Sequence, residues 1–148
     1  PAPRSVKKSG CATRADVLAA VNGTHAPGAA APACLVDALP ADSFDGTGTS
    51  YGPRSGPITG AVNVPFRSLI DAETAAFVSP DVMHARLDQA GLLDERDVLA
   101  DCGGAIAATV DAFALALCGK TNVAVCDGRR MEWTADPDLP MENPSAAG

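Results

Sequence analysis

Aromatic side chains are scarce in this chain, with one Trp, one Tyr and four Phe among 148 residues. A hydrophobic fraction of 47% must therefore build its core from Ala, Val and Leu. The length suits one domain with a substantial interior. No run approaches the ~18 consecutive apolar residues of a membrane span, and no signal-peptide pattern opens the chain. Cations are also in deficit: 11 Lys and Arg face 18 Asp and Glu, a net charge of −7. That balance excludes the basic face needed to hold nucleic acid or an acidic membrane. The five cysteines (Cys11, Cys34, Cys102, Cys118, Cys126) are odd in number and contain no CxxC pair. The pattern argues against a disulfide scaffold or a zinc site and for a reducing, cytoplasmic compartment. His25 and His84 lie far apart in polar segments and read as surface residues. The chain starts at Pro1 without a methionine, as a piece of something longer would.

Apolar runs alternate with helical patterns along the chain. Residues 1–10 are basic and aperiodic, an N-terminal arm or linker. Thr13 can cap a helix from Arg14 to about Val21, with Val17, Leu18 and Val21 on its buried side and Asn22-Gly23 as its stop. Ala33–Ala38 reads as a buried strand ending in Asp37. A long irregular loop, Leu39–Pro57, follows, and such loops tend to carry function. Ala61–Val64 is a second strand, and Phe66 to about Ala72 a short helix. Ser79-Pro80 opens a helix to Ala90, its buried side drawn from Val82, Met83, Ala85 and Leu87. Val98–Asp101 is a strand, Ala107–Cys118 a helix closed by Gly119, and Asn122–Cys126 a strand ending at Asp127-Gly128. From Thr134 onward the composition is that of a surface-wrapping tail. The alternation predicts an α/β fold with a mainly parallel sheet of about five strands and helices on both faces.

One stretch stands apart. Val98-Leu99-Ala100-Asp101 leads into Cys102-Gly103-Gly104, and helical spacing resumes from Ala105. A cysteine thus falls where a strand ends and a helix begins, the crevice in which parallel sheets bind ligands. Loop amides and a helix N-terminus both favour an anion and would stabilise a thiolate there. From this stretch alone, a nucleophile and an inert buried thiol are equally good readings. Cys34, Cys118 and Cys126 fall in core elements and read as packing residues.

Several segments decide between them. Leu35-Val36-Asp37-Ala38, Arg54-Ser55-Gly56, Gly60-Ala61-Val62-Asn63-Val64-Pro65-Phe66 and Cys102-Gly103-Gly104 occur in the order seen in rhodanese-like sulfurtransferases. Asp127-Gly128, Glu132-Trp133 and Ala135–Pro140 resemble the C-terminal half of the tandem 3-mercaptopyruvate/thiosulfate enzymes. The resemblance implies a rhodanese-like domain over residues 11–142, with residues 143–148 as a tail and a preceding rhodanese-like domain as a partner. It implies a persulfide on Cys102, filled from a small sulfur-donor anion (thiosulfate or 3-mercaptopyruvate) and emptied onto a thiol or cyanide. The amides of Gly103, Gly104, Ala105, Ile106 and Ala107 would cradle the sulfur, and Arg54 would hold the donor anion. No cofactor, metal, nucleic acid or membrane is implied. A mitochondrial location is the eukaryotic alternative.

The chain also departs from the family. The common Cys-Gly-Ser-Gly-Val-Thr loop becomes Cys102-Gly103-Gly104-Ala105-Ile106-Ala107, without hydroxyls. Ser43 stands where a second carboxylate-holding arginine is expected, Leu39 where an arginine follows Asp37-Ala38, and Arg130 where a tryptophan is usual. These losses keep a second reading open, a catalytically weakened module that binds or supports a partner domain. A cysteine phosphatase would need an arginine at the far end of the loop, where Ala107-Ala108-Thr109 stands.

Overall fold

The computed structural model describes residues 11–24, 31–101, 103, 106–126 and 130–142. The N-terminal arm, His25, Cys102, Gly104, Ala105, the Asp127-Gly128 turn and the 143–148 tail lie outside the described residues. Five strands form one sheet: β1 (Cys11–Ala12), β2 (Cys34–Asp37), β3 (Val62–Asn63), β4 (Val98–Asp101) and β5 (Val123–Cys126). They run in the order β1-β5-β4-β2-β3. Every pairing between them is parallel. Five α-helices accompany them: α1 (Arg14–Val21), α2 (Ala41–Phe44), α3 (Pro80–Gln89), α4 (Ile106–Leu117) and α5 (Arg130–Ala135). A 3₁₀ turn spans Phe66–Leu69.

Every residue of β2 and β4 is buried, as central strands covered on both faces require. Val36, Ala38, Val98 and Ala100 face one layer, built with Leu69, Met83, Leu87, Ala108, Ala114 and Leu115. Leu35 and Leu99 face the other, built with Val17, Ala124, Trp133 and Leu139. Thus α3 and α4 cover one side of the sheet, and α1 and α5 the other.

Local chemistry sets the helix ends. The Thr13 hydroxyl accepts from the Asp16 amide, and the Asp16 carboxylate accepts from the Thr13 amide at 2.8 Å, a reciprocal cap on α1. Ser79 caps α3 with Pro80 in its first turn, and Gly119 takes φ +84° just beyond α4. Four sequence expectations change. Val82 and Ala85 are exposed, and α3 buries only Met83 and Leu87, one turn apart. The segment after Pro65 forms a 3₁₀ turn ending at Leu69 rather than a helix to Ala72. The loop Leu39–Pro57 contains α2, and the tail begins only after α5, which packs Trp133 into the core.

The sheet order places a switch point at its centre. The chain leaves β2 outward to β3, then returns to β4 on the other side of β2 and continues outward to β5. Connections at the carboxyl ends of β2 and β4 therefore diverge, opening a crevice between them. Asp37 and Asp101 are register partners at those two strand ends.

Candidate active site

Cys102 follows Asp101, the last residue of β4, and α4 begins at Ile106. The segment between them is therefore the strand-to-helix connection at the switch point. The first amides of a twelve-residue helix have no intrahelical partner and open toward that connection. Of the expected cradle, Gly103 and Ala107 are half-buried, and the Ile106 side chain is 81% exposed.

Gly103 is irreplaceable for a packing reason. A Cβ at this position would overlap Cγ, Cδ1 and Cε1 of the Tyr51 ring. Tyr51 comes from the long loop after α2 and packs at the edge of the layer that holds α4. Its neighbour Gly52 has φ +141°, and a Cβ there would collide with the Thr134 hydroxyl. The long loop is thus clamped against both the Cys102 connection and α5.

Arg54 is the second clamp. Its Nε donates to the Thr134 carbonyl at 3.0 Å and its Nη1 to the Leu139 carbonyl at 2.8 Å. Its Nη2 donates to the carbonyls of Trp133 and Asp136 at 3.1 and 2.6 Å. Four of its five N–H groups therefore hold the 133–139 segment, and the second hydrogen on Nη1 has no partner among the described residues. Arg54→Ala is expected to lower stability by about 1.5–3 kcal/mol, as charged hydrogen bonds of this kind contribute. Urea unfolding of the variant against wild type measures it.

Beneath the connection lies a buried charge cluster. Arg130 is 3% exposed, and its Nη1 donates to Asp37 Oδ2 at 2.5 Å and Asp101 Oδ2 at 2.9 Å. Its Nη2 donates to the Gly56 carbonyl. Asp37 Oδ1 accepts from the Leu39 amide at 2.9 Å. One guanidinium from α5 therefore ties the ends of β2 and β4 to each other and to the long loop. The Asn63 side chain extends this by donating to the carbonyls of Asp37 and Leu39. Asp37 is a structural partner at the strand end, as its position suggests.

Asp111 lies on the buried stripe of α4 with Ala108, Ala114 and Leu115. Its carboxyl is fully buried, and neither oxygen has a hydrogen-bond partner among the described residues. Burial pushes its pKa up to about 8, with the Asp37 carboxylate adding to the rise. At neutral pH this group is mostly a carboxylic acid in an apolar layer.

The structure thus sets Tyr51 against Gly103 and Arg130 against Asp101, the residues on either side of Cys102, while Arg54 engages the 133–139 segment and Ser43 is buried on α2. Tyr51, Asp111 and the Arg130 cluster escape the sequence reading. Tyr51 carries a faint signal as the only tyrosine, set in a loop of Gly, Ser, Thr and Pro.

Known proteins of similar sequence and fold define the family. No protein-family model matches the chain. A thiosulfate/3-mercaptopyruvate sulfurtransferase 1 of Arabidopsis thaliana mitochondria is 34% identical over 110 residues, 73% of this chain and 29% of the relative. The 3-mercaptopyruvate sulfurtransferase of Escherichia coli K12 is 33% identical over 73% of this chain and 38% of its own length. The thiosulfate sulfurtransferase of Gallus gallus is 35% identical over 67% of this chain and 34% of its own length. Among solved structures, the Tum1 protein of Saccharomyces cerevisiae superposes at a TM-score of 0.69. It is 25% identical and covers 90% of this chain and 46% of that one. The anaerobic ergothioneine biosynthesis enzyme of Chlorobium limicola shares the fold at a TM-score of 0.76 and 18% identity, over 95% of this chain and 33% of that one. The chain belongs to the rhodanese-like sulfurtransferases. It spans about a third of the length of the curated relatives it matches.

Proposed function

We propose that this domain moves a sulfane sulfur through a persulfide on Cys102. The observation that carries the reading is the position of Cys102 in sequence. It stands immediately after β4, ahead of the α4 N-terminus, at the sheet's switch point. Sequence kinship to thiosulfate and 3-mercaptopyruvate sulfurtransferases supports the same chemistry. In a relative of this fold, EanB, ergothioneine has been seen covalently linked with a persulfide cysteine.

The step balances without a cofactor. The Cys102 thiolate attacks the outer sulfur of thiosulfate, a new S–S bond forms, and the donor's S–S bond breaks. Sulfite leaves with the electron pair. A thiol or cyanide then takes the outer sulfur from the persulfide and returns the thiolate. The amides of residues 103–107 and the open end of α4 stabilise the anionic sulfur. The Nη1 hydrogen of Arg54 that has no partner among the described residues would serve the donor anion.

A second reading, a weakened module that supports a partner domain, is favoured by one observation. Arg54 holds the 133–139 backbone with most of its donors, so the donor anion has a thinner clamp than two free arginines would give. The two readings separate on turnover. Wild type is expected to transfer sulfur from thiosulfate to cyanide, with Cys102→Ser at background. A folded wild type that does not turn over, measured by thiocyanate formation, supports the supporting role instead.

No described helix is long and apolar enough to cross a membrane.

A further inference from the structure

The outer face of α4 carries no charge. Ile106, Val110, Phe113 and Leu117 recur at alternating steps of four and three residues, which places them in one straight stripe. The stripe lies away from the buried Ala108, Asp111, Ala114 and Leu115. Ile106 is 81% exposed, Leu117 56% and Phe113 54%, and Val110 is half-buried. Phe113 leans on the Phe77 ring, with 5.5 Å between centroids. Thr109 and Ala116 flank the stripe with small side chains, so a second helix can approach closely. The one charged residue of α4, Asp111, faces inward. Each of the other four helices exposes at least one charged side chain: Arg14, Asp42, Asp81 and Glu132.

An exposed apolar stripe of this kind marks a contact surface. The residues outside the described ones cannot supply its cover, because Val6 is the only large aliphatic or aromatic side chain among them. Charge narrows the choice further. At a net charge of −7, two copies of this chain repel, and they meet without like-charge contacts only where neither presents an acid. The α4 face meets that condition against itself. Its spacing is also that of a helix packed along a second helix. Antiparallel pairing sets each positive N-terminal end beside the partner's negative C-terminal end.

We propose that α4 is a self-association face: two copies of this chain pair α4 antiparallel across a two-fold axis, with Ile106 against the partner's Leu117 and Val110 against the partner's Phe113. The stripe is one helix wide and about 18 Å long, so the dimer is a weak, reversible one.

Sedimentation equilibrium of the 148-residue chain over a wide concentration range tests this. Wild type is expected to pass from one chain to two with a dissociation constant on the order of 10–100 µM, as a small interface gives. Ile106→Lys and Leu117→Glu each set a charge against an apolar partner, and each is expected to raise that constant about ten-fold or more. Both should unfold at the wild-type temperature, because both side chains are exposed in the single chain. The double variant Ile106→Lys/Leu117→Glu sets each new cation against the partner's new anion, and should dimerise more tightly than either single variant at low salt. A wild type that stays monomeric throughout overturns the proposal and leaves the face to a partner of another sequence. Single variants that dimerise like wild type place the contact elsewhere and overturn it as well. A double variant no tighter than the singles overturns the antiparallel pairing.

Discussion

Replacing Arg130 by methionine is expected to lower unfolding stability by about 3–5 kcal/mol, the usual loss when one partner of a buried ion pair is removed. Methionine keeps an unbranched apolar stem, shorter than arginine's, and carries no charge. Asp37 and Asp101, register partners on adjacent strands, would then lose the guanidinium they share. The Gly56 carbonyl would lose its donor as well. Equilibrium urea unfolding at pH 7 measures the loss. A second variant isolates the cause. With Asp37→Asn and Asp101→Asn added, Arg130→Met should recover much of the lost stability, because no buried charge remains uncompensated. If the triple variant stays as unstable as the single one, the loss comes from packing around Arg130 and not from its charge. Function should follow. The cluster anchors the last residue before Cys102 and the loop that carries Tyr51, so Arg130→Met should slow persulfide formation even where the protein remains folded.

Asp111→Asn should change the pH dependence of stability between pH 4 and 8. The folded pKa of Asp111 is raised to about 8 from a usual value of 3.8. The sign follows from proton binding. Between those values the folded chain holds a proton on this group that the unfolded chain has released, so stability falls as pH rises. Below about pH 4 both states are protonated, and Asp111 contributes no slope. Between pH 4 and 8 it costs up to about 1.4 kcal/mol per pH unit, on the order of 4 kcal/mol at pH 7. Above pH 8 the cost levels off. Asparagine keeps the shape and cannot ionise. The stability difference, variant minus wild type, should therefore grow steadily from pH 4 to 8. Unfolding free energies at three pH values across that window check it, and two parallel curves would mean that Asp111 has an ordinary pKa.

The parts of the fold that were legible in the sequence are those with local causes. Thr13 and Asp16 specify the start of α1, Ser79-Pro80 the start of α3, and Gly119 the end of α4, each through chemistry within four residues. Val98–Asp101 reads as a strand because its four apolar or terminal positions need cover on both faces. The two-residue β1 and the six-residue α5 are too short to show a period, and only tertiary packing of Ala12 and Trp133 makes them elements. Half of α3's expected buried side was misread for a related reason. Val82 and Ala85 suit an interior, but α3 lies on the sheet along one narrow line through Met83 and Leu87.

The site divides the same way. A cysteine between a strand and a helix is visible in sequence, and so is the order of motifs around it. The Arg130 cluster is not, because its carboxylates lie 93 and 29 residues away. Sequence comparison marks Arg130 only as a missing tryptophan and Leu39 only as a missing arginine. In the fold, the Leu39 amide and the Arg130 guanidinium meet the same Asp37 carboxylate. The sequence points Arg54 toward a donor anion, and nothing local signals that the carbonyls of a segment 79 to 85 residues later also engage it.

The central claim is that Cys102 carries the sulfur, and intact-mass spectrometry after exposure to thiosulfate tests it most directly. The account predicts a gain of one sulfur atom per chain, removed by cyanide, mapped to the peptide containing Cys102 and absent from Cys102→Ser. A gain that persists in Cys102→Ser, or that maps to Cys11, Cys34, Cys118 or Cys126, would contradict it.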